Sequence, residues 1–345
     1  MKKKLLVLPL VSLMSLVACS KDTGPDRAEI DPTKDSFNVG ILQYAPADAL
    51  DVARESFKTA LLSSPYLAGK AINITERFSL ANDNDDANYA KSLVTNSDIM
   101  LGIATPSAVH LKAARDEAGK KQPLLFTAVT DPVDAQLAKA YPHHDGSVTG
   151  TSDDNPVEEQ VKLIKRILTH KQPSEIRFGI FYTSSETNSA VQARRAQATA
   201  QAEGIGSITI HTCTNDSDIR ANANWLAERV DVMYLPTDNN LASHMNIIKE
   251  VIEEKHVLCI VGEEGMLNGG HITYSVSYSY LGRRAGEMAA DIISGRKQTH
   301  EVDIEKSLDP ADWNKVYSSA NISAANLGYS LPADILSEFT DISAA

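Results

Sequence analysis

The chain has 345 residues, with 33 Lys or Arg against 45 Asp or Glu, so its formal net charge is −12 at pH 7. An acidic chain without a basic, aromatic-rich patch offers no electrostatic basis for nucleic-acid binding, which excludes nucleic acid as a partner. Hydrophobic residues make up 43% of the chain, and its length is sufficient for two α/β domains with separate cores.

The N-terminus has the pattern of a bacterial lipoprotein signal peptide. Lysines at positions 2–4 precede the apolar run Leu5–Val17, which is shorter than the ~20 residues that a membrane-spanning helix needs. Small residues then lead to Cys19. We expect residues 1–18 to be removed and Cys19 to carry acyl chains such as palmitate. The alternative is a secretory leader with a chance cysteine.

Residues 19–36 are polar and contain Gly24, Pro25 and Pro32. This composition predicts a flexible tether rather than a folded element. The mature protein is therefore expected outside the cytoplasm, lipid-anchored to the cell membrane. In a Gram-negative cell this would be the inner or the outer membrane, facing the periplasm.

Strand-like runs alternate with helix-like stretches through the rest of the chain, which is the pattern of a parallel sheet covered by helices. The runs form two series, and we interpret Asp145–Thr151 as a break in the alternation between them. The prediction is an α/β fold with two doubly wound lobes. The runs are Asn38–Tyr44, Ala71–Phe78, Ile99–Ala104 and Leu124–Ala128, then Ile176–Tyr182, Ser207–Thr212, Val230–Leu235 and Val257–Val261.

Four of the intervening stretches repeat apolar residues at helical spacing, which predicts amphipathic helices packed on the sheets. Their apolar faces are Leu50, Ala53, Phe57 and Leu61; Val157, Val161, Ile164 and Leu168; Leu241, Met245, Ile248 and Ile252; and Leu281, Ala285, Met288 and Ile292.

The last part of the chain suggests that it crosses between the lobes more than once, forming a hinge. Lobe 1 is predicted over 37–149 with a return of about 272–298. Lobe 2 is predicted over 150–271 with a return of about 300–332. The short runs that carry these returns are Gly270–Val276, Val302–Ile304 and Val316–Ser319. Residues 333–345 form a C-terminal tail without an assignment.

Polar residues follow the strand ends of both series, where open parallel sheets bind their ligands. Helix capping is the simpler explanation for any single loop. Together, however, hydroxyls and helix N-termini suit a carboxylate, and acids suit an ammonium. We therefore predict a zwitterion with a hydrophobic tail, such as an amino acid, between the lobes. The candidate residues are Gln43, Tyr44, Thr105, Ser107, Thr130, Asp131, Ser184, Ser185, Glu186, Thr187, Asn188, Thr237, Asp238, Asn239 and Glu264.

Other signals are weaker. Cys213 and Cys259 lie in strand-like runs. The sequence is compatible with two buried free thiols and with a disulfide between them. The pair His143–His144 and the acidic stretch 83–86 are interpreted as surface, and no metal site is predicted. Nucleophile elbows, phosphate loops and dinucleotide fingerprints are absent from the sequence, so neither an enzyme nor a cofactor is expected.

Eight stretches occur in a characteristic order over about residues 37–332. They are Val39–Gln43, Ile103–Ala108, Phe126–Val133, Val148–Asp153, Ser184–Ser189, Pro236–Asn239, Glu263–Gly265 and Leu281–Gly286. In them the chain resembles the bacterial ABC-transporter substrate-binding lipoproteins of the tryptophan- and tyrosine-binding group.

The resemblance implies a type I periplasmic-binding fold, with two flavodoxin-like lobes, three hinge strands and a ligand in the cleft. It implies that Thr105, Ser107 and the loop 184–188 hold the polar head of the ligand, and Asp238 is the expected ammonium partner. Tyr44, with Tyr278 or Tyr280, is expected to pack on the ligand's side chain.

The expected function is that of a monomeric solute receptor that closes on an aromatic amino acid and delivers it to an ABC permease with a separate ATPase subunit. Two departures from the family pattern bear on the ligand: Ser277–Tyr280 replaces a stretch that often carries an acid, and Ser152–Asn155 is unusually acidic. The alternatives are a receptor for another amino acid or small solute, and a sensor or structural lipoprotein that imports nothing.

Overall fold

The computed structural model describes residues 30–141, 146–306 and 313–344. The predicted leader, Cys19, most of the tether and His143–His144 lie outside the described residues. Within the described part of the chain, no helix is both long and apolar enough to cross a membrane.

The first sheet has six parallel strands in the order β11-β5-β4-β3-β1-β2. In its centre, the strand order is that of a flavodoxin-like doubly wound sheet, with the chain running outward in both directions from the first strand. The strands are β1 Ser36–Gln43, β2 Ala71–Phe78, β3 Ile99–Ile103, β4 Leu124–Thr127, β5 Val148–Ser152 and β11 Glu305–Lys306.

The second sheet repeats this order as β13-β12-β10-β9-β8-β6-β7. Its strands pair in parallel except for β12, which runs antiparallel to β10. The prediction of two doubly wound lobes is confirmed. The strands are β6 Arg177–Thr183, β7 Ser207–Cys213, β8 Val232–Leu235, β9 Leu258–Val261, β10 Ile272–Ser275, β12 Asn314–Tyr317 and β13 Thr340–Asp341.

Helices cover both faces of each sheet. The apolar faces predicted for four of them are buried in the hydrophobic cores. The helices are α1 Asp48–Leu62, α2 Asp83–Asn96, α3 Thr105–Glu117, α4 Val157–Ile167, α5 Thr187–Ala202, α6 Ile219–Ala227, α7 Asn239–Ser243, α8 Met245–Lys255, α9 Tyr278–Ile293, α10 Ser319–Ala325 and α11 Ala333–Glu338.

Two local predictions were wrong. The interpreted break at 145–151 contains β5, which pairs with β4 and extends the first sheet; its β-branched residues Val148, Thr149 and Thr151 were the signal. The single helix predicted through Leu241 and Ile252 is two helices, because the backbone leaves helical geometry at His244, where φ is −121° and ψ is 21°.

The lobe boundaries also differ from the prediction. β10 belongs to the second sheet, so the return to lobe 1 begins with α9, and β11 belongs to the first sheet. The tail beyond residue 332 forms α11 and β13, and β13 pairs with β12 in lobe 2. A hydrophobic pattern indicates that a strand exists, but the pairing partner depends on distant parts of the chain.

The helix α9 returns to lobe 1 because its apolar face packs against α1 in one core. The two backbones approach closely at Gly282, where an added Cβ would lie 2.0 Å from the carbonyl oxygen of Ala53. A side chain at this position would push the helices apart, so the glycine is required by the contact.

Within the described residues, the chain passes between the lobes at 153–156, after β5, and at 276–277, before α9. In addition, β11 belongs to the first sheet and β12 to the second. The first two crossings are bonded to each other. The Asn155 side chain accepts a hydrogen bond from the Val276 backbone N–H (2.9 Å) and donates one to the Thr237 hydroxyl (3.2 Å). The two segments directly follow the carboxyl ends of β5 in the first sheet and β10 in the second.

Candidate binding cleft

The carboxyl ends of both sheets face each other across the junction of the lobes. A cavity of about 400 Å³ there is lined by lobe 1 residues that include Tyr44, Thr105 and His110, and by Ser185, Glu186 and Thr187 of lobe 2. Five of these six residues follow strands β1, β3 and β6. The first residues of α3 and α5 therefore contribute to one interlobe cavity.

In lobe 2, the buried Glu186 carboxylate organises the neighbouring loop. Its two oxygens accept hydrogen bonds from the backbone N–H groups of Asn239 (2.9 Å) and Asn240 (2.8 Å), the first residues of α7. Asn188 donates to the Thr237 carbonyl at 3.0 Å. Burial, reinforced by the nearby Asp238 charge, raises the pKa of Glu186. An acid of the chain itself thus occupies the N-terminus of α7.

Asp238 is only 1% exposed and caps the same short helix. It accepts from the Thr183 backbone N–H (2.7 Å), the Thr183 hydroxyl (3.0 Å) and the Leu241 N–H (2.9 Å). Both carboxylate oxygens are therefore used within lobe 2. Its predicted role as the ammonium partner stays a prediction, and this geometry favours a structural part for the side chain.

The lobe 1 candidates lie in different environments. Tyr44 lines the cavity and donates its hydroxyl to Asp83 at 2.9 Å, and burial together with that carboxylate raises the pKa of Tyr44. The Gln43 side chain bonds Asp51 and Arg54 of α1 at 2.8 and 2.6 Å. These bonds hold Gln43 against its own lobe.

Ser107 is fully buried and bonds Asp86 of α2 at 2.7 Å, and the second oxygen of Asp86 bonds His110 at 2.7 Å. This hydrogen bond to Asp86 raises the pKa of His110. The interpretation of 83–86 as surface was wrong for Asp86, which has 0% exposure. His110 lines the cavity, and the only signal for it was its place one turn after Ser107.

Thr130 lies at the hinge, where α5 links the two lobes. The buried Gln192 side chain donates to the Thr130 hydroxyl (3.3 Å) and accepts from the Thr237 N–H (3.2 Å). Asp131 caps its own turn by accepting from the Val133 and Asp134 N–H groups at 2.9 and 3.0 Å. Sequence reasoning missed Gln192, which has no distinguishing pattern inside the helix.

Glu264 lies in a second interlobe cavity of about 420 Å³, beside α1 and the start of α9. Its neighbour Glu263 is buried, and burial raises the pKa of Glu263 to about 8 although the Gly265 N–H donates to it at 2.6 Å. Ser184 is exposed and Asn239 buried. The predicted residues are thus distributed around the junction, with Tyr44, Thr105, Ser185, Glu186 and Thr187 sharing one cavity.

The buried pair Asp153 and Tyr278 lies where the first two crossings meet. The Tyr278 hydroxyl donates to one oxygen of Asp153 at 2.7 Å. Loss of water raises the pKa of Asp153 to about 6, although hydroxyls of Tyr278 and Thr130 lower it. Tyr280 lines a separate cavity of about 830 Å³ formed mostly by residues of α1 and α9 in lobe 1. Its packing on a cleft ligand stays a prediction, which this position does not favour.

The remaining sequence expectations concern cysteines and metals. Cys213 and Cys259 are buried free thiols, which resolves the open choice against a disulfide. Within the described ranges, His, Cys, Asp and Glu side chains form no group that could hold a metal ion.

Comparison with known proteins identifies this architecture. Residues 38–313 match the family model described as ABC transporter substrate binding protein. The chain belongs to this family. It is therefore an ABC-type substrate-binding protein, with a role in binding rather than catalysis. Its partners are a small-molecule solute and an ABC transporter, and such proteins act outside the cytoplasm.

Among its relatives, the chain is 28% identical over 334 residues to a tyrosine-binding protein of Clostridioides difficile (strain R20291), covering 94% of both chains. A Streptococcus pneumonia ABC domain solved with L-Trp has 26% identity and a TM-score of 0.77, covering 88% of this chain and 99% of that one. A ligand-free, open substrate-binding protein of Clostridium difficile has 28% identity and a TM-score of 0.63, covering 86% and 97%.

Proposed function

We propose that this chain is the lipid-anchored receptor of an ABC importer and that it binds an aromatic amino acid, namely tryptophan, tyrosine or phenylalanine, between its lobes. Relatives at 26–28% identity are described as tyrosine-binding or as complexed with L-Trp. The higher TM-score to the L-Trp complex than to the open relative is in the direction expected if the lobes are closed here.

The observation that carries the proposal is the interlobe cavity, whose volume of about 400 Å³ lies within the range of small-molecule sites. Tyr44, Pro106 and Val109 supply apolar surface, and Thr105 and Thr187 supply hydroxyls. A pocket with apolar walls and a few convergent polar groups suits a ligand that has an aromatic tail and a charged head.

The ligand carboxylate is assigned to α3 and α5. Free N–H groups and the helix dipole favour an anion at a helix N-terminus. Glu186 already occupies the N-terminus of α7, whereas Thr105 and Thr187 are the first residues of helices of 13 and 16 residues. The other predicted contacts, including Thr130, Asp131, Thr237 and Glu264, remain part of the proposal.

The mechanism follows from the two-lobed architecture. A ligand that contacts both lobes binds the closed arrangement better than the open one, and it shifts the population toward closure by that difference in affinity. The closed form would present surfaces of both lobes to the permease, and a separate ATPase subunit would supply the energy for import.

Isothermal titration of the purified full chain in detergent against the twenty amino acids tests the ligand. We expect binding of tryptophan, tyrosine or phenylalanine. Replacing Thr105 by valine keeps the volume and removes one hydroxyl, so affinity should fall about tenfold. The matched control is Thr95→Val, because the Thr95 hydroxyl is exposed and bonds the Lys91 carbonyl of its own helix.

Other outcomes would contradict specific parts of the proposal. Binding of non-aromatic solutes alone would show that the ligand class is wrong, and binding of no solute would favour a sensor or structural lipoprotein. For the anchor, cells fed an alkyne-tagged palmitate should label the wild-type protein and not Cys19→Ser. Light scattering of the same preparation should give the mass of a monomer in its detergent micelle.

A further inference from the structure

The carboxylate of Asp153 lies at the pivot between the lobes. It immediately follows β5, and its backbone N–H donates to the Val129 carbonyl at 3.2 Å. Asn155 bonds the Asp153 carbonyl at 3.0 Å and also bonds Val276 of the second crossing. These hydrogen bonds fix the backbone of Asp153, and through Asn155 they connect it to the second hinge segment.

One oxygen of this carboxylate accepts no hydrogen bond of normal geometry. Oδ2 accepts from the Tyr278 hydroxyl, whereas the buried Oδ1 has no such bond among the described residues. The nearby Thr130 hydroxyl lowers the pKa of Asp153 without forming a bond of normal geometry to it. Asp153 is only 1% exposed, so water does not replace the missing donor at the surface. An unpaired buried carboxylate is costly, which points to a cationic donor from outside the chain.

The next residue along the chain, Asp154, is paired with cationic side chains. Asp154 forms ion pairs with Arg195 of α5 and Lys306 of β11. Asp153 has no such partner among the residues described. Burial, together with the Asp153 charge, raises the pKa of the neighbouring Glu263 to about 8, so Glu263 is mostly protonated at pH 7. The described part of the chain therefore supplies no cation to compensate an ionised Asp153.

Building on the proposed function, we propose that Asp153, rather than Asp238, holds the ammonium group of the ligand. Asp238 has both oxygens occupied by Thr183 and Leu241, whereas Oδ1 of Asp153 accepts no hydrogen bond of normal geometry among the described residues. Tyr278 is then a positioning residue that fixes the carboxylate through Oδ2. The site would select primary ammonium compounds with an aromatic tail and discriminate against acids without the amine.

Three related ligands test the contributions of the ammonium and the carboxylate of tyrosine separately. L-tyrosine carries both, tyramine lacks the carboxylate, and 3-(4-hydroxyphenyl)propionate lacks the ammonium. The full chain in detergent is titrated with each, as wild type and as Asp153→Asn. We expect the variant to lose about 100-fold in affinity for tyrosine and tyramine and to bind the propionate no more weakly than wild type does. Asp154→Asn is the control, and its affinity should change less than threefold.

The outcomes distinguish the two proposals. If wild type binds tyrosine and Asp153→Asn binds it equally well, or if all three ligands weaken together, this inference is wrong and the receptor function stands. If tyramine binds in an Asp153-dependent way but no aromatic amino acid does, the inference holds and the proposed ligand is wrong. If neither tyrosine nor tyramine binds wild type, both fail.

A structural role for Asp153 predicts a different result. Removing a buried charge should leave the melting temperature of the ligand-free protein unchanged or higher, whereas loss of a structural contact would lower it. Should Asp153→Asn not fold, Tyr278→Phe provides the test, because it removes only the hydroxyl that fixes Oδ2. This variant should lower the affinity for tyrosine and tyramine several-fold and leave the affinity for the propionate unchanged. An equal loss of affinity for all three ligands would overturn the inference.

Discussion

Replacing Asp238 by alanine should destabilise the ligand-free protein, because this side chain connects the end of β6 to the start of α7. The substitution removes the acceptor for three donors: the Thr183 N–H, the Thr183 hydroxyl and the Leu241 N–H. All three hydrogen bonds lie in the interior of lobe 2. A carboxylate with this set of partners is expected to contribute to folding even when the cleft is empty.

The size of the effect follows from these contacts. Loss of a helix cap costs about 1 kcal/mol, and leaving the buried Thr183 N–H without an acceptor costs about 1–3 kcal/mol. Removal of a buried charge offsets part of this loss. The free energy of unfolding should therefore fall by about 2–3 kcal/mol, which for a chain of this length corresponds to roughly 3–5 °C in melting temperature.

Thermal unfolding of the ligand-free full chain, followed by circular dichroism at pH 7, measures this change. Asp131→Ala is the matched control, because Asp131 caps a turn through the exposed bonds to Val133 and Asp134 and should cost about 1 kcal/mol or less. An unchanged melting temperature for Asp238→Ala, combined with a large loss of ligand affinity, would refute the reasoning and return Asp238 to the role of ammonium partner.

Two further predictions concern titratable groups. With a pKa of about 6, half of the Asp153 carboxyls are protonated at pH 6. An ammonium ligand favours the ionised form, so binding should release about half a proton per ligand at that pH. Titration calorimetry in buffers of different ionisation enthalpy measures this release. Asp153→Asn should lose that release, whereas persistence would assign it to Glu263, whose pKa is about 8. Cys213 and Cys259 should resist alkylation in the native protein, because both are buried and burial raises the pKa of Cys213 to about 12; after unfolding without reductant both should react, and a failure to react would indicate a disulfide.

Much of the fold was predictable because it depends on local periodicity. The amphipathic faces of α1 and α9 and the buried strands β1 and β3 repeat at helix or strand spacing, so their existence follows from the sequence. The strand β5 was missed because Gly146, Ser147 and Gly150, which surround its β-branched residues, are typical of a loop. The strand β11 pairs with β5, which lies more than a hundred residues earlier, and β10 pairs with β9 and β12 in the second sheet. No local pattern encodes either choice of partner.

The candidate site was predictable only in part. Polar residues after parallel strands must lie at one edge of a sheet, which places Thr105, Ser185 and Thr187 at the junction of the lobes. Whether such a residue faces the cleft or its own lobe is a matter of packing. Ser107 and Gln43 have the expected residue type and position, yet their side chains bond Asp86 and Asp51.

The sequence by itself determined two doubly wound lobes, the polar loops at their facing edges, and the pattern of a lipoprotein leader. Only the tertiary structure decided how the acids are used: Asp238 and Glu186 have their oxygens occupied by backbone N–H groups, whereas one oxygen of Asp153 accepts no hydrogen bond of normal geometry among the described residues. The physical reason is that the sequence specifies which groups are acidic, whereas the availability of each oxygen depends on which donors the fold brings within hydrogen-bonding distance.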